Sequence, residues 1–284
     1  MHEGKEKEHK EVERVVQHGW LFDVDGVLSH LVEKKNTERE LLERILAVLE
    51  KGEPVALNTG RQVSFAVEKV LKELEAMASD KVIFQNLLLV AEKGAIQISY
   101  DSDGNYKEEI DESITVPKHI QKEVRELVEK DFSDIMFFDT GKRTMISVEM
   151  VDGGDLEEFK KRQVELNALL VQLLDKHNLN TNYKLDLTRI SIDLENRHVG
   201  KHLGARKVLD WLKKQKIKPQ EFIAFGDSKS DLGMAEEIFR NGLKVEMVFV
   251  GGKELIEGKK FDFSVKTPES NYEKGVLEYL KSLE

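Results

Sequence analysis

The sequence predicts an α/β protein in which a parallel sheet is interrupted by an inserted α+β module. Three observations carry this. Short apolar strands alternate with helix-periodic segments over residues 20–91. Between 111 and 195 the pattern changes to paired strands set between helices, which suggests an antiparallel sheet. From Gly200 the alternation of strand and helix resumes.

The elements follow in order. Residues 2–17 read as a short helix through Val12, Val15 and Val16, or as a frayed end. WLFDVDGVL (20–28) is a buried strand running into two aspartates. Thr37-Glu38-Arg39-Glu40 has the capping-box pattern and opens a helix to about Glu50, ended by Gly52 and Pro54. PVALN is a second buried strand leading into Thr59-Gly60-Arg61. Val63, Ala66, Val67, Val70, Leu71 and Leu74 recur at helical spacing. VIFQN and LLLVA read as strands, and IQISY opens a hairpin turning at Asp103-Gly104-Asn105. Asp101-Ser102-Asp103-Gly104 resembles the start of a calcium loop, but its glycine comes two positions too early, so the turn is the better reading. The middle segment reads as helix 117–130, strands 134–138 and 144–150, helix 155–176, and strands 182–187 and 189–194. Helix 201–214, strand FIAF, helix 231–240, strands VEMVFV and FDFSV and a closing helix complete the chain.

Composition narrows the function. Forty per cent of the 284 residues are apolar, and no apolar run approaches a membrane span. The N-terminal MHEGKEKEHKEVERVVQHG is too charged for a signal peptide, so a cytoplasmic protein is expected. With no cysteine, thiol nucleophiles and zinc–cysteine sites are excluded. A net charge of −10, with both signs mixed along the chain, argues against nucleic acid or anionic lipid as partner. A small anionic substrate needs only local positive charge. Oligomeric state is open.

Four strand ends carry chemistry. Asp23 and Asp25, two apart on a strand, point the same way, and two carboxylates together are costly unless a cation joins them. They read as a nucleophile and its acid/base partner around magnesium, with a capped strand end as the plainer alternative. Thr59, with nearby backbone N–H groups, either caps the following helix or holds a phosphoryl oxygen at its positive end. Lys201 lies on the core-facing side of its helix, where a lysine needs an anionic partner, whereas Lys207 is expected to face solvent. In FIAFGDSKSD, Asp227 at the strand end suits a hard cation, and Asp231 suits either support of that cation or pairing with the helix dipole.

With these residues in hand, the sequence resembles the haloacid dehalogenase-like phosphohydrolases. LFDVDGVL, NTGR, GK with its helix, and GDSKSD match their four motifs in order, and VAEKGAI and SNYEKGVLEYL fit flanking stretches. The resemblance spans about residues 19–284. It implies a Rossmann-like parallel-sheet core with an inserted α+β cap domain of the Cof-like sugar-phosphatase type, the subclass of sucrose-phosphate, mannosylphosphoglycerate and trehalose-phosphate phosphatases, with phosphomannomutases nearby. The implied organisation is an N-terminal extension (1–18), core (19–110), cap (111–195) and core again (196–284), with hinges near 110 and 196. By position, the resemblance makes Asp23 the nucleophile and Asp25 the general acid/base. Thr59, Gly60 and Lys201 would bind the phosphoryl group, with Arg61 and Ser228 in support. Asp23, Asp25 (through its carbonyl), Asp227 and Asp231 would hold or support Mg2+. Val27, Lys93 and Ser230 depart from the residues common at their positions, without removing a catalytic group. The function implied is a magnesium-dependent phosphomonoesterase acting on a sugar phosphate or similar small metabolite. A phosphomutase and a silent phosphometabolite-binding protein are the alternatives. In the cap, Lys142, Arg143, Lys184 and Arg189 are candidate substrate contacts or ordinary surface charges.

Overall fold

The computed structural model describes residues 13–29 and 38–283. Strand β1 (Arg14–Phe22) is followed by helix α1 (Arg39–Glu50) and β2 (Val55–Asn58). Helices α2 (Val63–Ala66) and α3 (Lys72–Met77) are joined by a π turn over Val67–Leu71. β3 (Leu87–Ala91) then leads to the hairpin of β4 (Ile96–Tyr100) and β5 (Tyr106–Ile110). The middle of the chain supplies α4 (Lys118–Asp131), β6 (Met136–Phe138), β7 (Ile146–Met150), α5 (Leu156–Lys176), β8 (Tyr183–Leu187) and β9 (Ser191–Asn196). It closes with α6 (Lys201–Lys214), β10 (Ile217–Gly226), α7 (Leu232–Arg240), β11 (Val245–Phe249), β12 (Ser264–Lys266) and α8 (Tyr272–Lys281).

Eight strands form one sheet in the order β12-β11-β10-β1-β2-β3-β4-β5. Every neighbouring pair from β12 to β3 is parallel, and β4 and β5 add an antiparallel edge. β2, β3 and the last four or five residues of β1 and β10 are continuous buried apolar runs because helices cover both faces there. Phe22, Leu57 and Leu89 pack beneath α1, α3 and α8, while Leu21, Ala56 and Leu88 pack beneath α6 and α7. From β1 the chain builds outward through β2 and β3, then returns to build β10, β11 and β12 on the other side. The order therefore reverses between β1 and β10, and open α/β sheets bind ligands beyond the strand ends at such a point.

A second sheet, β6-β7-β9-β8, is wholly antiparallel. Helices α4 and α5 cover one face, meeting Ile146, Val148, Ile192 and Leu194. The intervening residues of β7 and β9 point the other way.

Three local expectations are corrected. Residues 14–17 are strand, not helix: β1 begins at Arg14 and pairs with an equally early start of β10, Arg14 opposite Ile217. VIFQN is a 3₁₀ turn over Lys81–Asn86, initiated by the Asp80 carboxylate accepting from Val82 N–H at 2.9 Å. Lys207 does not face open solvent, because Asp111 beyond β5 reaches it at 2.6 Å. Thr37 of the capping-box pattern lies outside the described residues, and Glu38 precedes α1 without a side-chain cap. The Asp103-Gly104 turn is present, with Asp101 Oδ1 accepting from Asp103 and Asn105 N–H, each at 2.9 Å, and Gly104 at φ 77°. Among the described residues, no helix is long and apolar enough to cross a membrane.

Candidate active site

β1 and β10 end side by side, and Asp23 N–H donates to Phe225 O at 3.0 Å. β1 itself stops at Phe22. The common direction of Asp23 and Asp25 therefore arises from a turn rather than from strand alternation. Val24 O collects Leu28 and Ser29 N–H at 2.9 Å each, and Gly26 takes φ 73° to close the turn. Both aspartates face one cleft. Asp25 is gripped by Arg61, Nε to Oδ2 at 3.0 Å and Nη2 to Oδ1 at 3.2 Å, a two-pronged contact that fixes the carboxylate plane.

Lys201, at the first turn of α6, has its ammonium almost fully buried between two carboxylates. Asp23 Oδ1 is 2.5 Å away and Asp231 Oδ1 2.8 Å. Burial works against its charge, but the two carboxylates outweigh it and raise its pKa. Asn58 holds the residue at both ends, its carbonyl accepting from Lys201 Nζ at 2.7 Å and its side-chain amide donating to Lys201 O at 2.9 Å. Asn58 was not among the sequence-derived candidates. The available signal is an asparagine closing an otherwise apolar strand, where a buried amide must find backbone partners. Asn58→Ala keeps the backbone carbonyl but removes the amide bond to Lys201 O. It is expected to lower any turnover about fivefold by loosening Lys201, one lost neutral hydrogen bond being about 1 kcal/mol. Equal turnover in purified wild type and variant would show that Lys201 is held without it.

Asp231 is fully buried, and its Oδ2 accepts from Ser228 N–H at 2.9 Å and the Ser228 hydroxyl at 2.7 Å. Ser230 sits at the cleft with its hydroxyl 2.8 Å from that of Ser228. Gly226 permits this approach, since a Cβ there would lie 2.1 Å from the Asp231 Cβ. Asp23, Asp227 and Asp231 each place a carboxylate oxygen within 4.8 Å of the others'. Burial, then repulsion from Asp231, pushes Asp23 well above the usual carboxylate range and Asp227 up to about 6. Asp231 moves the opposite way: burial opposes its charge, but Lys201 and Ser228 outweigh that.

Three carboxylates against one ammonium leave an excess of buried negative charge. The donors are hard oxygens with a half-buried carboxylate at the edge, a set that fits a magnesium-sized cation. Asp25 stands apart from this cluster, its side chain turned to Arg61.

Thr59 is fully buried and does not cap the next helix, whose N-cap is Gln62. Its hydroxyl oxygen instead accepts from Arg61 N–H at 3.0 Å. Gly60 lines the cleft, and its carbonyl accepts from Lys142 Nζ at 2.7 Å.

The cleft is about 750 Å³ and lies between these strand ends and the uncovered face of the smaller sheet. Ser147 and Glu149 of β7 and Ser191 and Asp193 of β9 line it, with Phe137 and Asp139 beside them. The alternation in ISVEM and SIDLEN was the sequence signal for this wall. Of the four cap cations for which surface charge was the plainer reading, Lys142 alone lines the cleft. Arg143 is engaged by Glu108 at 2.8 and 2.7 Å, and Lys184 lies 3.3 Å from Glu195.

No family model and no curated protein matches the chain by sequence. Solved structures do match. A haloacid dehalogenase-like hydrolase from Bacteroides thetaiotaomicron is 14% identical, with 96% of this chain and 100% of that chain covered and a TM-score of 0.64. The C-terminal domain of C. albicans trehalose-6-phosphate phosphatase is 16% identical, covering 94% and 92% at a TM-score of 0.61. Aspergillus fumigatus trehalose-6-phosphate phosphatase is 17% identical, covering 94% and 92% at a TM-score of 0.58. The chain has the fold of the haloacid dehalogenase-like hydrolases.

Proposed function

We propose that this chain is a magnesium-dependent phosphomonoesterase that hydrolyses a sugar phosphate or a related small phosphorylated metabolite through an aspartyl-phosphate. The supporting observation is the Lys201 ammonium lodged between Asp23 and Asp231, with Asp227 alongside, at the ends of the two central strands. On this reading Asp23 attacks phosphorus in line, opposite the leaving oxygen. Asp25, oriented by Arg61, protonates the departing alkoxide and then accepts a proton from the water that cleaves the acyl-phosphate. Lys201 offsets charge on the phosphoryl oxygens. The Thr59 hydroxyl, already accepting from Arg61, keeps its own proton free to donate to one of them. Asp23, Asp227 and the Asp25 carbonyl would hold magnesium, with Asp231 in support; the ion would add neutralising charge at the phosphoryl group.

The smaller sheet is assigned as the cap, residues 111–195, hinged near 110 and 196 and closing over the leaving group. Its cleft wall carries Asp139, Glu149 and Asp193. Lys142 and Lys93 line the same cleft, Lys93 3.4 Å from Asp193, so the charges there are mixed and the choice between monoesterase and mutase is left to the assay.

Phosphate release from a panel of sugar phosphates, with and without magnesium, tests the reading. Release that requires magnesium and favours one ester is expected; conversion of a sugar bisphosphate without release would replace the monoesterase with a mutase. Binding can be read apart from activity. Magnesium at about 100 times its dissociation constant should stabilise the protein by about 2.7 kcal/mol, seen as a raised melting temperature, and Asp227→Asn should remove most of that gain. A shift unaltered by Asp227→Asn would place the ion elsewhere.

A further inference from the structure

The connection between β3 and β4 holds two consecutive non-glycine residues in the left-handed region, Glu92 (φ 47°) and Lys93 (φ 57°), followed by Gly94 (φ 106°). Such conformations persist where surrounding contacts over-determine them. Here the contacts lie on two sides. Towards the larger sheet the backbone is bound: Glu92 N–H donates to Arg61 O at 2.9 Å and Lys93 N–H to Thr59 O at 3.2 Å. Lys93 O accepts from Gly200 N–H at 2.7 Å. Those partners belong to the loop that carries Thr59 and Gly60 and to the residue before Lys201.

Towards the smaller sheet the side chains are bound. Glu92 is buried, and among the described residues every hydrogen bond to its carboxylate comes from two successive residues ahead of β7. Arg143 N–H lies 3.1 Å from each oxygen, Thr144 N–H is at 2.8 Å and the Thr144 hydroxyl at 2.6 Å. Lys93 Nζ pairs with Glu195, with Asp193 at 3.4 Å and Asp186 at 3.7 Å. One turn thus joins the loops on the phosphate side of the cleft to both the loop and the strands that form its far wall.

We infer that the Glu92–Lys93 turn is a positioning element that sets the smaller sheet over the cleft in register with Gly60 and Lys201. The turn does no chemistry. Its side chains govern how the leaving group is held, while its backbone bonds to the phosphate-side loops are unaffected by replacing those side chains. This rests on the phosphomonoesterase reading for its kinetic consequence, though the contact itself can be measured independently.

The test uses the full chain carrying Glu92→Gln, and separately Thr144→Val. With magnesium present, kcat and KM are measured for the best sugar monophosphate and for acetyl phosphate, whose leaving group is too small to need the far wall. For Glu92→Gln, a KM for the sugar phosphate raised at least tenfold is expected, with kcat/KM for acetyl phosphate within twofold of wild type. Thr144→Val, which removes a single donor, should shift the same KM about threefold. Equal losses on both substrates, or no loss on either, would overturn the assignment. In parallel, amide hydrogen exchange at Arg143 and Thr144 should quicken at least tenfold in Glu92→Gln, and unchanged exchange would also overturn it. If wild type hydrolyses neither substrate, the function fails while exchange still decides whether the turn holds the smaller sheet.

Discussion

Asp23→Asn is expected to lower phosphatase turnover by about 10⁴-fold or more, the scale on which an essential nucleophile acts, while the melting temperature holds or rises. An amide oxygen cannot form the acyl-phosphate, yet it can still accept the hydrogen bond that Val24 N–H makes to Asp23 Oδ1 at 2.6 Å. The substitution also removes one of the two negative charges crowded onto Lys201, leaving ammonium and Asp231 in balance. Burial, then repulsion from Asp231, pushes the Asp23 carboxyl up, and removing the charge relieves both, which offsets the lost pairing with Lys201. Steady-state kinetics with a melting curve on the same preparation reads both quantities. A variant retaining more than about one per cent of turnover, with deamidation excluded by mass, would rule out the covalent route.

Lys201→Met is expected to damage stability as well as turnover. It leaves Asp23 and Asp231 buried without the ammonium between them, and breaking a buried ion pair from one side costs about 3–5 kcal/mol. The sign of the pH dependence follows. Asp23 already binds its proton more tightly in the folded state, and removing the cation strengthens that preference. A folded state that binds more protons than the unfolded one loses stability as pH rises through its carboxyl range. The deficit should therefore be larger at pH 7 than at pH 5, and magnesium should recover part of it. Denaturant melts at the two pH values, with and without magnesium, are the check. A midpoint equal to wild type at pH 7 without metal would mean the two carboxylates do not depend on Lys201.

What was legible in the sequence was what local pattern determines. FIAF, VALN and LLLVA were readable because a strand buried on both faces is continuously apolar, and α4 and α5 because Ile120, Val124 and Val128, or Phe159, Leu166 and Leu170, recur at helical spacing. The strand-end carboxylates stood out for the same reason: Asp23 and Asp227 interrupt apolar runs. The misses depend on partners far along the chain. Residues 14–16 are extended because β10 begins early enough to receive them. Lys207 is satisfied by Asp111, nearly a hundred residues away, which no helical projection shows. VIFQN has strand composition, but an aspartate in front of it offers a local hydrogen bond that competes with strand pairing. The partners of Asn58, and most of those of Glu92, are backbone groups, which every sequence contains, so the residue type alone does not name what either one holds.

The alternation on β7 and β9 has an evolutionary consequence. Ile146, Val148, Ile192 and Leu194 belong to the packed interior, and Ser147, Glu149, Ser191 and Asp193 belong to the cleft. A substitution in the second set changes what the cleft can hold without altering the volume of the first. Divergence of ligand preference on this scaffold can therefore proceed by single replacements that leave the hydrophobic contacts intact. Preference and folding are inherited through different residues of the same two strands.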